Sequence, residues 1–205
     1  MTEKLGRISV ERRSGSEPFK EGDRDLGFDL LDFWQWSASD LVANTARGVL
    51  AEYLVARALK IDVAGVRDGW APYDLLTRLG VKIEVKSAAY LQSWNQTKPS
   101  IISFGTPKTR AWDPETGQLE KDANRHADVY VFALLKHPDK ATLKPLDVSQ
   151  WEFHVLSTRK LDERTRSQHS ITLPSLTELS GGAVPYGDLA KAVETAAARA
   201  LESGS

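Results

Sequence analysis

The chain has 205 residues, 41% of them hydrophobic and 27% charged, with a formal net charge of −1; these are ordinary values for one globular domain with its own core. The absence of cysteine excludes disulfides and thiolate-zinc sites and agrees with a reducing, cytoplasmic setting. No apolar run can span a bilayer, the first twenty residues lack a signal-peptide core, and the charge balance excludes a uniformly basic coat, so any nucleic-acid contact must rest on local positive charge.

Residues 1–24 are polar, include Arg12-Arg13-Ser14-Gly15-Ser16, and are predicted to form a loose, flexible terminus. Residues 25–205 are expected to be a single domain. The segment 25–38 carries Phe28, Leu30, Leu31, Phe33, Trp34 and Trp36. That density predicts burial, against the body or against a second copy in a homodimer; a base-stacking surface is the other reading. Ser39-Asp40 offers a helix N-cap, and the helix is predicted to run to Lys60. Between Val49 and Leu59 only Glu52 and Arg57 are charged, so that helix should be covered on most sides. Glu52 sits among Val49, Leu50, Ala51, Leu54 and Val55, with Gly48 one turn earlier on the same face. A carboxylate there needs a partner. It either contributes to a metal site or pairs with a lysine or arginine at the surface.

Asp74 is followed, ten residues on, by Glu84-Val85-Lys86. Val81, Ile83 and Val85 alternate with Lys82, Glu84 and Lys86, the period-2 pattern of a half-buried strand. Glu84 and Lys86 therefore leave one face. Thr77-Arg78-Leu79-Gly80 is a turn candidate in which Gly80 can take a positive φ. A hairpin there would return Asp74 alongside Glu84. Two carboxylates and one ammonium would converge, an oxygen-rich site for a hard divalent cation with a lysine placed to act on a water.

Further on, Ile101–Phe104 reads as a short strand. Residues 105–128 form a long polar stretch with Gly105, Pro107, Pro114 and Gly117, of a length associated with functional or disordered loops. Val129–Leu135 is a continuous apolar run, as expected of a central strand covered on both faces. Trp151–Thr158 is a further strand, and Asp188 can cap a C-terminal helix through Leu189, Val193 and Ala197. Strands alternating with helices, plus one hairpin, indicate an α/β fold with a mixed β-sheet flanked by helices.

Asp74, Glu84-Val85-Lys86 and an upstream helix carrying Glu52 resemble the PD-(D/E)XK nuclease superfamily, whose fold is called restriction-endonuclease-like. The resemblance covers roughly residues 40–160. One departure is visible: the family's proline would stand at position 73, whereas here Pro72 is one residue early and Tyr73 takes its place. The resemblance implies Mg²⁺, with Mn²⁺ as substitute, held by Asp74, Glu84 and the Val85 carbonyl. It implies Lys86 acting on the water, Glu52 completing the catalytic set, and hydrolysis of phosphodiester bonds with DNA as the expected substrate.

Other constellations are weaker. His126, His137, His154 and His169 lack paired-ligand spacing. No G-x-S-x-G nucleophile elbow is present. Lys108 and Arg110 in the long loop, and Arg159 and Lys160 in the locally positive stretch 157–169, are candidate phosphate contacts; a solvated helix face is the alternative for the second pair. A non-catalytic nucleic-acid-binding or scaffold protein of the same fold stands as the second functional reading. An unrelated α/β protein acting through its Trp-rich segment is the third.

Overall fold

The chain's longest uninterrupted apolar run becomes its central strand. A computed structural model describes residue 6 and residues 8–113 and 115–201. Its main sheet has four strands in the order β3 (Leu75–Leu76), β4 (Lys82–Ala89), β6 (Val129–Leu135) and β7 (Trp151–Ser157). β4 and β6 are parallel, while β3 and β7 run antiparallel to their neighbours, so the sheet is mixed. Every residue of β6 is buried. Its odd positions, Val129, Val131, Ala133 and Leu135, join Ile83, Val85 and Ala89 of β4 beneath helices α2 (Asn44–Ala58) and α5 (Leu189–Leu201). Its even positions, Tyr130, Phe132 and Leu134, face a second cluster. That face is covered by a small antiparallel pair, β5 (Ser103–Gly105) with β8 (Ser170–Thr172), and by α3 (Thr158–Asp162) and α4 (Leu173–Ser180). Among the described residues no helix is long and apolar enough to cross a membrane.

The hairpin expected around Gly80 is present. Leu75 pairs with Ile83 and Leu76 with Lys82. Gly80 takes φ 82°, its N–H bonds the Thr77 carbonyl at 3.0 Å, and Thr77 Oγ1 accepts from Val81 N–H at 3.0 Å. The parallel connection from β4 to β6 carries β5 and then a protruding arm instead of a crossover helix. In that arm Thr109 and Asn124 exchange backbone hydrogen bonds at 2.9 and 2.8 Å, and Trp112 bridges Leu119. The long polar stretch is thus an irregular hairpin; Pro114, within it, lies outside the described residues.

Helix α2 begins at Asn44, four residues later than Asp40 as first helical residue would place it. Asp40 Oδ1 accepts from the Val42 and Ala43 N–H groups at 3.1 and 3.0 Å, which makes a turn that ends one helix and starts the next. The preceding helix, α1 (Leu30–Ala38), is capped by a reciprocal pair: Asp29 accepts from Asp32 N–H, and Asp32 from Asp29 N–H, both at 3.0 Å. At its other end α2 closes in a Schellman motif. Ile61 N–H reaches the Ala56 carbonyl at 2.9 Å and Lys60 N–H the Arg57 carbonyl at 3.2 Å. Lys60 holds the left-handed position, φ 54°, that glycine usually fills.

The structure bears on two expectations for the N-terminus. Residues 18–29 are a hairpin, β1 (Pro18–Glu21) with β2 (Arg24–Asp29), so part of the stretch read as loose is structured; residues 1–5 and 7 of that stretch lie outside the described residues. The aromatic segment is not buried within the chain. Phe28, Leu31, Phe33 and Trp34 are more than one-third exposed, and Trp36 is 84% exposed. The rings pair within their own elements: across the hairpin Phe19 meets Phe28 at 4.9 Å between ring centroids, and along α1 Phe33 meets Trp36 at 6.5 Å. Trp34 lies over Gly15, where a Cβ would stand 3.1 Å from its ring. Local ring pairing therefore satisfies these side chains only in part.

Candidate active site

Strand alternation sets the site. Glu84 and Lys86 leave β4 on the same face, as their period-2 spacing requires, and Lys86 Nζ pairs with Glu84 Oε1 at 2.5 Å. Register puts Tyr130 of β6 beside Glu84. Asp74 directly precedes Leu75, which pairs with Ile83, the neighbour of Glu84. Asp74 is fixed twice: its N–H donates to the Ile83 carbonyl at 3.0 Å, and its Oδ2 accepts from Val85 N–H at 2.7 Å. Since N–H and C=O of one strand residue point to the same edge, the Val85 carbonyl opens on the edge that Asp74 occupies.

Asp74 is held in an electrostatically uncomfortable place. Burial, followed by the nearby Glu84 carboxylate, raises its pKa to about 6; the Val85 N–H bond and Lys86 pull the other way, and Glu52 adds to the rise. Tyr130 is raised too, by burial and then by Glu84. The two carboxylates therefore share one field, which a cation between them would relieve.

Glu52 leaves α2 close to the sheet edge and is only 12% exposed. Gly48, one turn before it, leaves the helix near Ser87, whose Oγ would be 4.0 Å from an added Cβ. Glu52 does not stand free. Arg67, in the loop between α2 and β3, forks onto it: Nη2 is 2.8 Å from Oε1 and Nε bonds Oε2. The same Nη2 lies 3.9 Å from Asp74 Oδ1. Its hydrogen bond to Glu52 raises the Arg67 pKa above its ordinary value. Glu52, Arg67 and Asp74 line a cavity of about 320 Å³ with Tyr53 and Val66. Tyr73, at the position of the family's proline, lies against Lys82, whose Nζ is 5.6 Å from the ring centroid.

Among the described residues no three carboxylate or imidazole groups form a ready cation cage. The donor set is smaller: two carboxylates and a strand-edge carbonyl. That fits Mg²⁺, which keeps several waters and takes one or two carboxylates plus substrate phosphate. The four candidate phosphate contacts already have partners. Lys108 pairs with Asp162 at 3.3 Å, Arg110 bonds the Glu120 carbonyl at 2.5 Å, Arg159 pairs with Glu163 at 2.6 Å, and Lys160 bonds the Leu179 carbonyl at 3.0 Å. Lys160 lines a separate cavity with Asp188 and Lys191.

Arg67 and Tyr130 were not singled out in the sequence. Tyr130 lies in an apolar run, and only the parallel register brings it to Glu84. Arg67 is the one arginine in residues 59–73, and a lone guanidinium between Glu52 and Asp74 was the available signal.

No curated protein matches the chain. The family model of bacteriophage T4 endonuclease IV matches residues 29–174, from the cap of α1 into α4. The match covers well over half the sequence and all the residues of the site, and leaves the β1–β2 hairpin almost wholly outside it. The chain belongs to the bacteriophage T4 endonuclease IV family, and with it to the nucleases that act on nucleic acid.

Proposed function

We propose that the protein is a Mg²⁺-dependent endonuclease of the PD-(D/E)XK type, with the restriction-endonuclease-like fold, acting on DNA. The observation that carries this is the convergence of Asp74, Glu84, Lys86 and the Val85 carbonyl at one edge of the mixed sheet. Asp74, Glu84 and the Val85 carbonyl would hold the ion. When bound, Mg²⁺ supplies polarisation of the phosphodiester and a water of lowered pKa. Lys86 faces the same side as Glu84 and is one-third exposed. Its ammonium would orient the attacking water and offset charge on the phosphorane. The Val85 N–H bond fixes the position of the Asp74 carboxylate, so one of the residues that would hold the ion is already placed.

The test is incubation of the purified protein with supercoiled plasmid, linear duplex, single-stranded and branched DNA, and RNA, with Mg²⁺, with Mn²⁺ and with chelator. Cleavage of a DNA substrate with either ion, stopped by chelator, is expected. Cleavage that survives chelation removes the metal-dependent reading. Nucleic-acid binding without cleavage under every condition leaves the non-catalytic binding protein in its place.

A further inference from the structure

Three carboxylates, Glu52, Asp74 and Glu84, meet two basic groups, Arg67 and Lys86, at the site, and Asp68 adds its charge beside Arg67. Lys86 is paired with Glu84. Arg67 engages both oxygens of Glu52 and turns one nitrogen toward Asp74. A bidentate fork of this kind is the strongest arrangement a guanidinium makes with a carboxylate. Glu52 is 12% exposed whereas Arg67 is 46% exposed, so the open side of this pair is the guanidinium. Its Nη1 lies over Gly69, 3.4 Å from where a Cβ would be, so the backbone passes close to it there.

We propose that Arg67 is the resident second cation of the site: it holds Glu52 out of metal binding, so that Asp74 and Glu84 take a single divalent ion, and it presents its guanidinium to the substrate phosphate. This rests on the nuclease reading above. A second divalent ion would need Glu52, and would meet the Arg67 charge within a few ångströms of Asp74. Arg67 suits the phosphate for the reason it suits Glu52, a planar fork of donors that a lysine lacks.

Mn²⁺ titration of the full chain, followed by calorimetry and by the electron paramagnetic resonance of free Mn²⁺, tests the assignment without relying on turnover. The wild type should bind one ion. Arg67→Gln should bind it about 10-fold tighter and admit a second, because Glu52 is released and a repelling charge is gone. Glu52→Gln should bind about 10-fold more weakly, because the freed Arg67 then pairs with Asp74. The double variant should return to one ion with near wild-type affinity, since Glu52 acts through Arg67. Under saturating metal, Arg67→Gln should lower kcat by about 10²-fold, with Arg67→Lys recovering part of it. Circular dichroism confirms that each variant is folded, and Arg67→Lys keeps the charge should the glutamine variant unfold. Two ions in the wild type overturn the proposal. So does a double variant as weak as Glu52→Gln, which makes Glu52 a ligand in its own right, and so do unchanged affinities throughout. Absence of cleavage by the wild type removes the nuclease reading, while the ion count still decides the role of Arg67.

Discussion

Asp74 Oδ2 accepts the Val85 N–H at 2.7 Å while the field of Glu84 opposes its ionisation. The first contact positions the carboxylate; burial and the second contact make it costly to charge. The folded protein therefore keeps a proton on Asp74 up to about pH 6, where the free side chain loses it near 3.8. In that window the folded state binds more protons than the unfolded one, so this group's contribution to stability falls as pH rises from 4 to 6 and stays unfavourable above. Asp74→Asn should then stabilise the metal-free protein at pH 8 by about 2–3 kcal/mol, and much less at pH 4. Urea unfolding of both proteins at the two pH values measures it. Equal effects at pH 4 and pH 8 would show that Asp74 ionises freely in the fold.

Lys60 occupies the left-handed position of a Schellman motif, with φ 54° and both of the motif's hydrogen bonds in place. A side chain there crowds its own carbonyl, and glycine does not. Lys60→Gly should raise stability by about 1 kcal/mol, seen as a higher urea midpoint with an unchanged slope. A loss of stability of that size would mean that the lysine side chain contributes more than its backbone strain costs.

The parts of the fold legible in the sequence are those where a single element carries its own signal. The seven apolar residues 129–135 gave the central strand, and the alternation across Lys82–Lys86 with Gly80 before it gave the hairpin and its register. Asp74, Glu84 and Lys86 could be placed together because that reasoning is local. What escaped it depends on tertiary geometry. Nothing periodic surrounds Arg67, and its pairing follows from how the loop after α2 folds back. Ser39-Asp40 carries a cap's chemistry, but Asp40 uses it within a turn. The β8–α4 segment did carry readable signals, Pro174 in the first helical turn and Gly181 at φ 80° after the last. Ring density in the aromatic segment implies packing, but it does not tell whether the cover comes from the chain itself or from a second copy.

The exposed rings of α1 and its hairpin are the surface a homodimer would use. Residues 17–40 hold seven acidic and two basic residues, so two copies meeting symmetrically on this face oppose like charges. Association through it should tighten as salt is raised from low to about 0.5 M, since screening shortens the reach of that repulsion, and Trp36→Ser should weaken it. Sedimentation velocity across protein and salt concentrations reads both effects. A monomer under all conditions removes the homodimer.

The chemical assignment makes the sharpest demand, because three neighbouring substitutions should fail in different ways. Glu84→Ala and Asp74→Ala each remove one of two carboxylates available to the ion, so metal affinity and cleavage should both be lost. Little stability should go with them, since both residues are partly exposed and leave no large cavity. Lys86→Ala leaves both carboxylates. It should keep the ion and slow the chemical step by about 10²-fold or more, a fall in kcat at saturating metal and substrate. Binding of uncleaved DNA should persist in all three, and tighten in Asp74→Ala and Glu84→Ala, where a negative charge facing phosphate is gone. Single-turnover cleavage, metal titration and DNA binding on the same preparations separate these outcomes. Full activity in Lys86→Ala would take the lysine out of the reaction, and retained metal binding in Glu84→Ala would place the ion somewhere other than between Asp74 and Glu84.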